Sequence, residues 1–381
     1  MAQPSKRSLQ IPEYAFSSLA KEAKKVEDAD GRKILNLSIG SPSFPPSEIY
    51  MQKLHESIAK PNNHLYPGYG ATEQFSSGLI EWYQKRFGVE LKDNELFPLL
   101  GAKDGVSHLP MALADEGDEI LVPNPGYPAF TGAALMMGCK VVSYDLLESN
   151  HFQLSIPEIE KKISLKTKMI WINFPSNPTG QTITLDELKP LVTLCVKKNI
   201  WLIYDNAYAE ITYDDYISPS ILEIPGAKDI TVELGSFSKM YSFAGYRIGW
   251  VVGNAQAIAA LAKVKSQFDS GLSLPFQDVA AYALIHPDIK WHEKMIASYK
   301  NNKDELVNLF ARFGLTMESP KGGLYLWAKI PNSFKNSVEY AMELLKKKHI
   351  LVTPGSVFGT NGDRYVRICF SADITRLSEY I

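Results

Sequence analysis

Few cysteines, no excess of either charge and no long apolar run characterise this chain of 381 residues. Cys139, Cys195 and Cys369 are far apart, odd in number and set in apolar surroundings. They read as buried thiols in a reducing compartment and exclude a disulfide framework. Lys plus Arg number 40 against 42 Asp plus Glu, a net charge of −2 that gives no electrostatic reason to bind nucleic acid or an anionic membrane. No stretch approaches the length of a membrane span. The Lys6-Arg7 pair has no apolar run behind it, so a secretory signal is not expected. Repeats and low-complexity tracts are also missing. What remains is small-molecule chemistry in the cytoplasm, with no metal, nucleic-acid or membrane partner expected.

The chain has an ordinary hydrophobic fraction of 45% and charged fraction of 22%. Its length exceeds the size at which one core stops growing, so a large domain with a smaller companion is expected. From Leu96 to Val252 short apolar runs alternate with helical patterns, the signature of βα units wound into a mostly parallel sheet. The strands are predicted at Glu119–Val122, Lys140–Tyr144, Met169–Asn173, Ile200–Asp205, Thr231–Leu234 and Ile248–Val252. Several are apolar throughout, as strands covered on both faces are. The helix Leu185–Lys198 has Leu188, Leu191, Val192 and Cys195 at helical spacing and Asn199 at its stop. A long helix from about Trp291 to Phe313 suits a connection between domains. Beyond it, Leu324–Ile330, a helix around Val338–Lys348 and Arg364–Phe370 describe a small α+β unit. The residues before about 50, with Ser41-Pro-Ser-Phe-Pro-Pro46, are expected to pack as an arm.

The most informative stretch is Ser236-Phe-Ser-Lys239 followed by Gly245-Tyr-Arg247-Ile-Gly249, directly after a strand. Two hydroxyls, an arginine and a lysine at a strand end supply donors for a phosphate and an amine for a carbonyl. A lone lysine in a polar loop is ordinarily a solvated charge, but this one has company. Asp205 ends its strand, with Tyr208 three residues on, at the carboxyl edge where open α/β sheets bind ligands. A buried anion there can keep a pyridine nitrogen protonated, which makes the ring an electron sink. Asp205 can equally cap a helix starting at Asn206, and the two roles are compatible. Asn173-Phe-Pro-Ser-Asn177-Pro-Thr-Gly180 brings an amide to the same edge on a loop stiffened by proline, though such a turn also occurs without function. Gly101-Ala-Lys-Asp-Gly105 opens a helix whose free N–H groups attract a phosphate, a weak motif by itself.

Ser236-Phe-Ser-Lys239 also satisfies the S-x-x-K pattern of serine acyl-enzymes. Those carry S-D-N and K-T-G partners, and neither tripeptide occurs in this chain. Gly68-Tyr-Gly70 followed by Glu73 fails the dinucleotide fingerprint at its third glycine and does not follow a strand.

Taken together, Asn177-Pro-Thr-Gly180, Asp205-x-x-Tyr208, Ser236-x-Ser-Lys239 and Arg247, in this order and spacing, resemble the fold-type I, class I/II aminotransferases, and the likeness runs from Ile39-Gly40 to Phe370. The resemblance implies an α/β fold of the pyridoxal-phosphate-dependent transferase type. A large domain with a mostly parallel seven-stranded sheet between helices would span residues 51–290. A small α+β C-terminal domain with the interdomain helix would span 291–381, and residues 1–50 would form an arm and part of the small domain. Lys239 would hold pyridoxal 5′-phosphate as a Schiff base and move the α-proton, in a ping-pong exchange between an L-amino acid and a 2-oxo acid. Asp205 would pair with the ring nitrogen, and Asn177 and Tyr208 would hold the ring oxygen. Ser236, Ser238 and Arg247, with Gly101 and the backbone of Ala102 and Lys103, would grip the phosphate. Tyr127, in Pro125-Gly-Tyr-Pro128, would stack on the ring, although an aromatic in a turn is otherwise core. Arg367 would clamp the substrate carboxylate, a task suited to its planar fork, beside Gly40 and Asn177. An arginine in an edge strand is otherwise a surface charge. Tyr66 would reach the neighbouring subunit's cofactor, which implies a homodimer with shared active sites.

Classical aspartate aminotransferases carry an arginine about thirty residues past the lysine. Here that neighbourhood reads Ser266-Gln-Phe-Asp-Ser-Gly-Leu-Ser273. The stretch Lys263–Gly271, Tyr83-x-x-Arg86-Phe-Gly-Val89 and Gly101–Gly105 instead resemble the LL-diaminopimelate aminotransferase group. LL-diaminopimelate with glutamate is therefore the leading substrate pair, ahead of aspartate, alanine or other amino acids. The chain departs from that group around Phe237 and Met240 and ends soon after Arg376. A carbon–sulfur β-lyase or a non-enzymatic regulator on the same scaffold are the alternatives, since fold does not fix reaction.

Overall fold

The structure, a computed structural model, describes residues 3–5, 8, 9, 11, 13 and 15–380; Lys6 and Arg7 lie outside the described residues. In chain order the strands are β1 (Leu35–Asn36), β2 (Leu96–Leu99), β3 (Glu119–Asn124), β4 (Lys140–Asp145), β5 (Thr167–Asn173), β6 (Trp201–Asp205) and β7 (Thr231–Ser236). They continue with β8 (Gly249–Gly253), β9 (Thr316–Met317), β10 (Tyr325–Lys329), β11 (Ile350–Leu351), β12 (Thr353–Pro354) and β13 (Tyr365–Cys369). A seven-stranded sheet runs β2-β8-β7-β6-β5-β3-β4, parallel except that β8 is antiparallel to both neighbours. A four-stranded sheet has the order β12-β13-β10-β9, and β1 pairs parallel with β11.

The large sheet is buried because alternate residues feed two cores. Met169 and Trp171 of β5, Ile203 of β6 and Val232 and Leu234 of β7 join one apolar cluster. Ile170 and Ile172, Leu202 and Tyr204, and Trp250 and Val252 join the other. Successive side chains of a strand point to opposite faces, so unbroken apolar runs mean cover on both sides. Trp171 is wholly buried and stacked on Phe130 at 4.6 Å; truncating it to Ala should cost about 3–5 kcal/mol.

Helix Leu185–Lys198 begins at the capping box of Thr184 and Glu187 and stops at Asn199 in the left-handed region. Ile200 N–H donates to Cys195 O, so this residue closes the helix, and β6 starts one residue later than the apolar run suggests. The long helix spans Ile289–Arg312. No helix follows Asp205: residues 206–210 form a turn, and the Asp205 carboxylate accepts from Ala207 N–H at 3.2 Å. All three cysteines are buried and free. Among the described residues no helix is long and apolar enough to cross a membrane.

Candidate active site

The parallel register sets Asn173, Asp205 and Ser236 at the carboxyl ends of β5, β6 and β7. Since β8 is antiparallel to both β7 and β2, strand β2 ends at that same edge, where Gly101 caps the helix Ala102–Leu113. A cavity of about 340 Å³ opens there. Its wall gathers Gly40, Ala102, Lys103, Tyr127, Asn177, Asp205, Tyr208, Ser236, Ser238, Lys239, Arg247 and Arg367. Two of the sequence-predicted residues stand apart. Gly101 lies behind Arg247, and Tyr66 is 86% exposed, away from this chain's cavity.

Lys239 rides on a one-turn helix that Ser236 starts, its hydroxyl accepting from Ser238 N–H at 3.1 Å. The amine donates to the Gly40 carbonyl. Burial, joined by the positive charges of Arg367 and Arg247, pushes its pKa down to about 8, against the pull of Cys369. Asp205 is buried, and its carboxyl is pushed up to about 7 by burial, opposed only by the Ala207 N–H. Burial thus brings the two groups near neutrality from opposite sides.

A chain of amides fixes the opposite wall. Asn173 Nδ2 donates to Asp205 O at 2.8 Å, and Asn177 N–H donates to Asn173 Oδ1 at 2.7 Å. Asn177 Oδ1 then accepts from Arg367 Nη1 at 2.8 Å, while Arg367 Nη2 donates to Ser38 O at 2.6 Å. Arg367 is buried on β13, which has β12 on one side and β10 on the other, so it is neither on an edge strand nor a surface charge. Its guanidinium packs over the rings of Tyr325 at 4.2 Å, Phe358 at 4.8 Å and Phe16 at 5.1 Å, an arrangement that holds a buried cation flat.

Arg247 lies in the left-handed region at φ 57° and donates to Ala244 O at 2.7 Å and Leu100 O at 3.3 Å. A Cβ at Gly101 would meet its Nη2 at 2.4 Å, so only glycine lets the arginine fold over the helix start. Tyr127 is held edge-on by Phe130 at 5.6 Å.

Four contributors escaped the sequence reading. Tyr325 reaches in from β10 with its hydroxyl 2.9 Å from that of Tyr208. Phe16 and Ile39 line the cavity from the N-terminal segment. Asn173, read only as a strand end, links Asp205 to Asn177. For Asn173 a signal existed, an asparagine ending a strand before a proline loop; for the others one sequence offers none.

The family model described as aminotransferase class I and II matches residues 32–380. An LL-diaminopimelate aminotransferase 2 from Nostoc sp. is 37% identical over 380 residues, covering 99% of this chain and 96% of the relative. An LL-diaminopimelate aminotransferase from Dehalococcoides mccartyi is 36% identical over 365 residues, covering 96% and 93%. Among solved structures, apo-BacF from Bacillus subtilis superposes with a TM-score of 0.94 at 31% identity, covering 100% of this chain and 97% of that one. A Thermus thermophilus aspartate aminotransferase double mutant, at 22% identity, shares the fold with a TM-score of 0.93 over 100% and 98% of the two chains.

Proposed function

This chain belongs to the class I and II aminotransferases, enzymes that use pyridoxal 5′-phosphate, and from that premise we propose a role for each residue of the cavity and a donor for the reaction. The observation that carries the reading is the pairing of Lys239 and Asp205 in one cavity, their pKa values displaced to about 8 and about 7. The residues fit the cofactor. Gly101 leaves the space in which Arg247 folds over a helix N-terminus, a cradle for a phosphate. The buried Arg367 Nε has no hydrogen-bond partner among the described residues and suits a carboxylate. When bound, pyridoxal 5′-phosphate supplies a carbonyl carbon for amines and a ring that accepts electrons.

The residues do the rest. Ser236, Ser238, Arg247 and the N–H groups of Ala102 and Lys103 would hold the phosphate, and Tyr127 would lie against the ring. Asp205 would hold a proton on the ring nitrogen, and a cation beside it would favour its charged form. Asn177 and Tyr208 orient the ring oxygen. Arg367 grips the substrate carboxylate beside Gly40 and Asn177, fixing the α-carbon within reach of Lys239. The Lys239 amine, partly unprotonated near pH 8, takes the α-proton and returns it. Tyr66 serves the partner's site in a homodimer working in the cytoplasm. Residues 51–290 hold the cofactor, while 291–381 with part of 1–50 form the small domain.

For the donor, the named relatives at 36–37% identity over nearly the whole chain support LL-diaminopimelate. A donor panel with 2-oxoglutarate tests this, read as kcat/KM. LL-diaminopimelate should lead. Ready turnover of aspartate with none of diaminopimelate would overturn the donor but leave the reaction class intact.

A further inference from the structure

Tyr325 meets three parts of the proposed machinery at once. Its hydroxyl stands 2.9 Å from the Tyr208 hydroxyl, and its ring lies under the Arg367 guanidinium at 4.2 Å. The same hydroxyl presses on Gly40 so closely that a Cβ there would fall 1.8 Å from it, and the Gly40 carbonyl takes the Lys239 amine. Tyr208 follows a strand of the seven-stranded sheet, whereas Tyr325 belongs to the four-stranded one, two rungs from Arg367's own partner Trp327. We propose that Tyr325 is a positioning residue with two separable parts: its ring sets the plane of Arg367, and its hydroxyl orients and strengthens the Tyr208 phenol. This rests on the roles proposed above for Tyr208 and Arg367.

Both phenols are buried, and a hydroxyl can donate one hydrogen bond while accepting another. Burial, then the neighbouring Tyr325 phenol and the bond to it, hold the Tyr208 proton firmly, and either hydroxyl can be the donor of the pair. With the Tyr208 O–H turned toward an acceptor in the cavity, Tyr325 would donate to Tyr208 with no heavy atom moving. The result is a chain of two hydrogen bonds in which each strengthens the next. Removing the far hydroxyl weakens the near bond without touching the ring under Arg367.

The test uses the holoenzyme and the variants Tyr325→Phe, Tyr325→Leu, Tyr208→Phe and Tyr208→Phe/Tyr325→Phe. The readouts are the pH midpoint of the bound cofactor's visible absorbance and the donor KM. Tyr325→Phe should raise the midpoint by about half a unit, about threefold in proton affinity, with KM within about twofold. Tyr208→Phe should move it further in the same direction, and the double variant no further than Tyr208→Phe alone, because Tyr325 acts through Tyr208. Tyr325→Leu, which also loses the aromatic face, should raise KM by about tenfold. An unmoved midpoint in Tyr325→Phe, or a shift that adds in full to that of Tyr208→Phe, overturns the hydroxyl's role. Equal KM values for Tyr325→Phe and Tyr325→Leu overturn the ring's role. If Tyr208→Phe itself leaves the midpoint in place, the assignment of Tyr208 falls and this inference with it.

Discussion

Two lysines enter the interior near the start of the helix Ala102–Leu113 and meet different surroundings. Lys265 is 3% exposed and has two carboxylates, Asp104 at 2.5 Å and Asp269 at 2.6 Å. Burial pushes the Asp104 carboxyl up, but bonds from His108 and Lys265, the Lys265 charge and the Leu100 N–H outweigh it and leave it below the usual range. Lys239 meets a backbone carbonyl and two arginines, and its pKa falls to about 8. The same residue type is thus a strut where counter-charges surround it and an amine of lowered pKa where they are withheld.

Substitution should separate the two. Lys239→Ala is expected to abolish the cofactor's imine absorbance and to cut turnover by at least about 10⁵-fold, with the fold retained by circular dichroism. Persistent turnover would end its assignment. Asp205→Asn comes next, at about 10³-fold in kcat. Its stability effect has the opposite sign. The folded pKa of about 7 lies above the ordinary 3.8, so the folded protein binds the extra proton between these values and the group destabilises increasingly as pH rises from about 4 to 7. Cofactor-free Asp205→Asn should therefore melt above the wild type at pH 8, with the gap closing towards pH 4; a constant gap would refute the pKa assignment.

Lys265→Ala leaves Asp104 buried without its cation and should cost about 3 kcal/mol in denaturant unfolding, with kcat of the folded enzyme within about threefold. If turnover collapses while stability holds, the contrast between the lysines is misdrawn. Smallest is Arg367→Lys, where a point charge replaces a stacked fork: donor KM should rise by about 50-fold, roughly 2 kcal/mol, with little change in the melting midpoint.

Much of this was legible from residue order. Lys239, Asp205, Asn177 and Arg247 stand at or just after strand ends, where apolar runs stop and the sheet edge must lie, so each could be placed before its neighbours were known. Helix Leu185–Lys198 was bounded correctly because caps act locally. The failures are non-local. Whether Arg367 sits at an edge depends on β12, two residues long and without a pattern of its own. Tyr325 occupies a strand position like any other, and only the meeting of two sheets makes its hydroxyl a partner of Tyr208. Phe16, in the arm, becomes part of the arginine's surroundings through a fold that brings residues 16 and 367 together.

Gly40 and Gly101 carry a consequence for how such a protein can vary. At one, any side chain would strike Tyr325, and at the other it would displace Arg247, so both positions are closed to drift while the cavity keeps its chemistry. Ile39, half exposed beside Gly40, meets no such barrier. A lineage exploring new amino donors would find its freedom there, within one residue of a position that allows none.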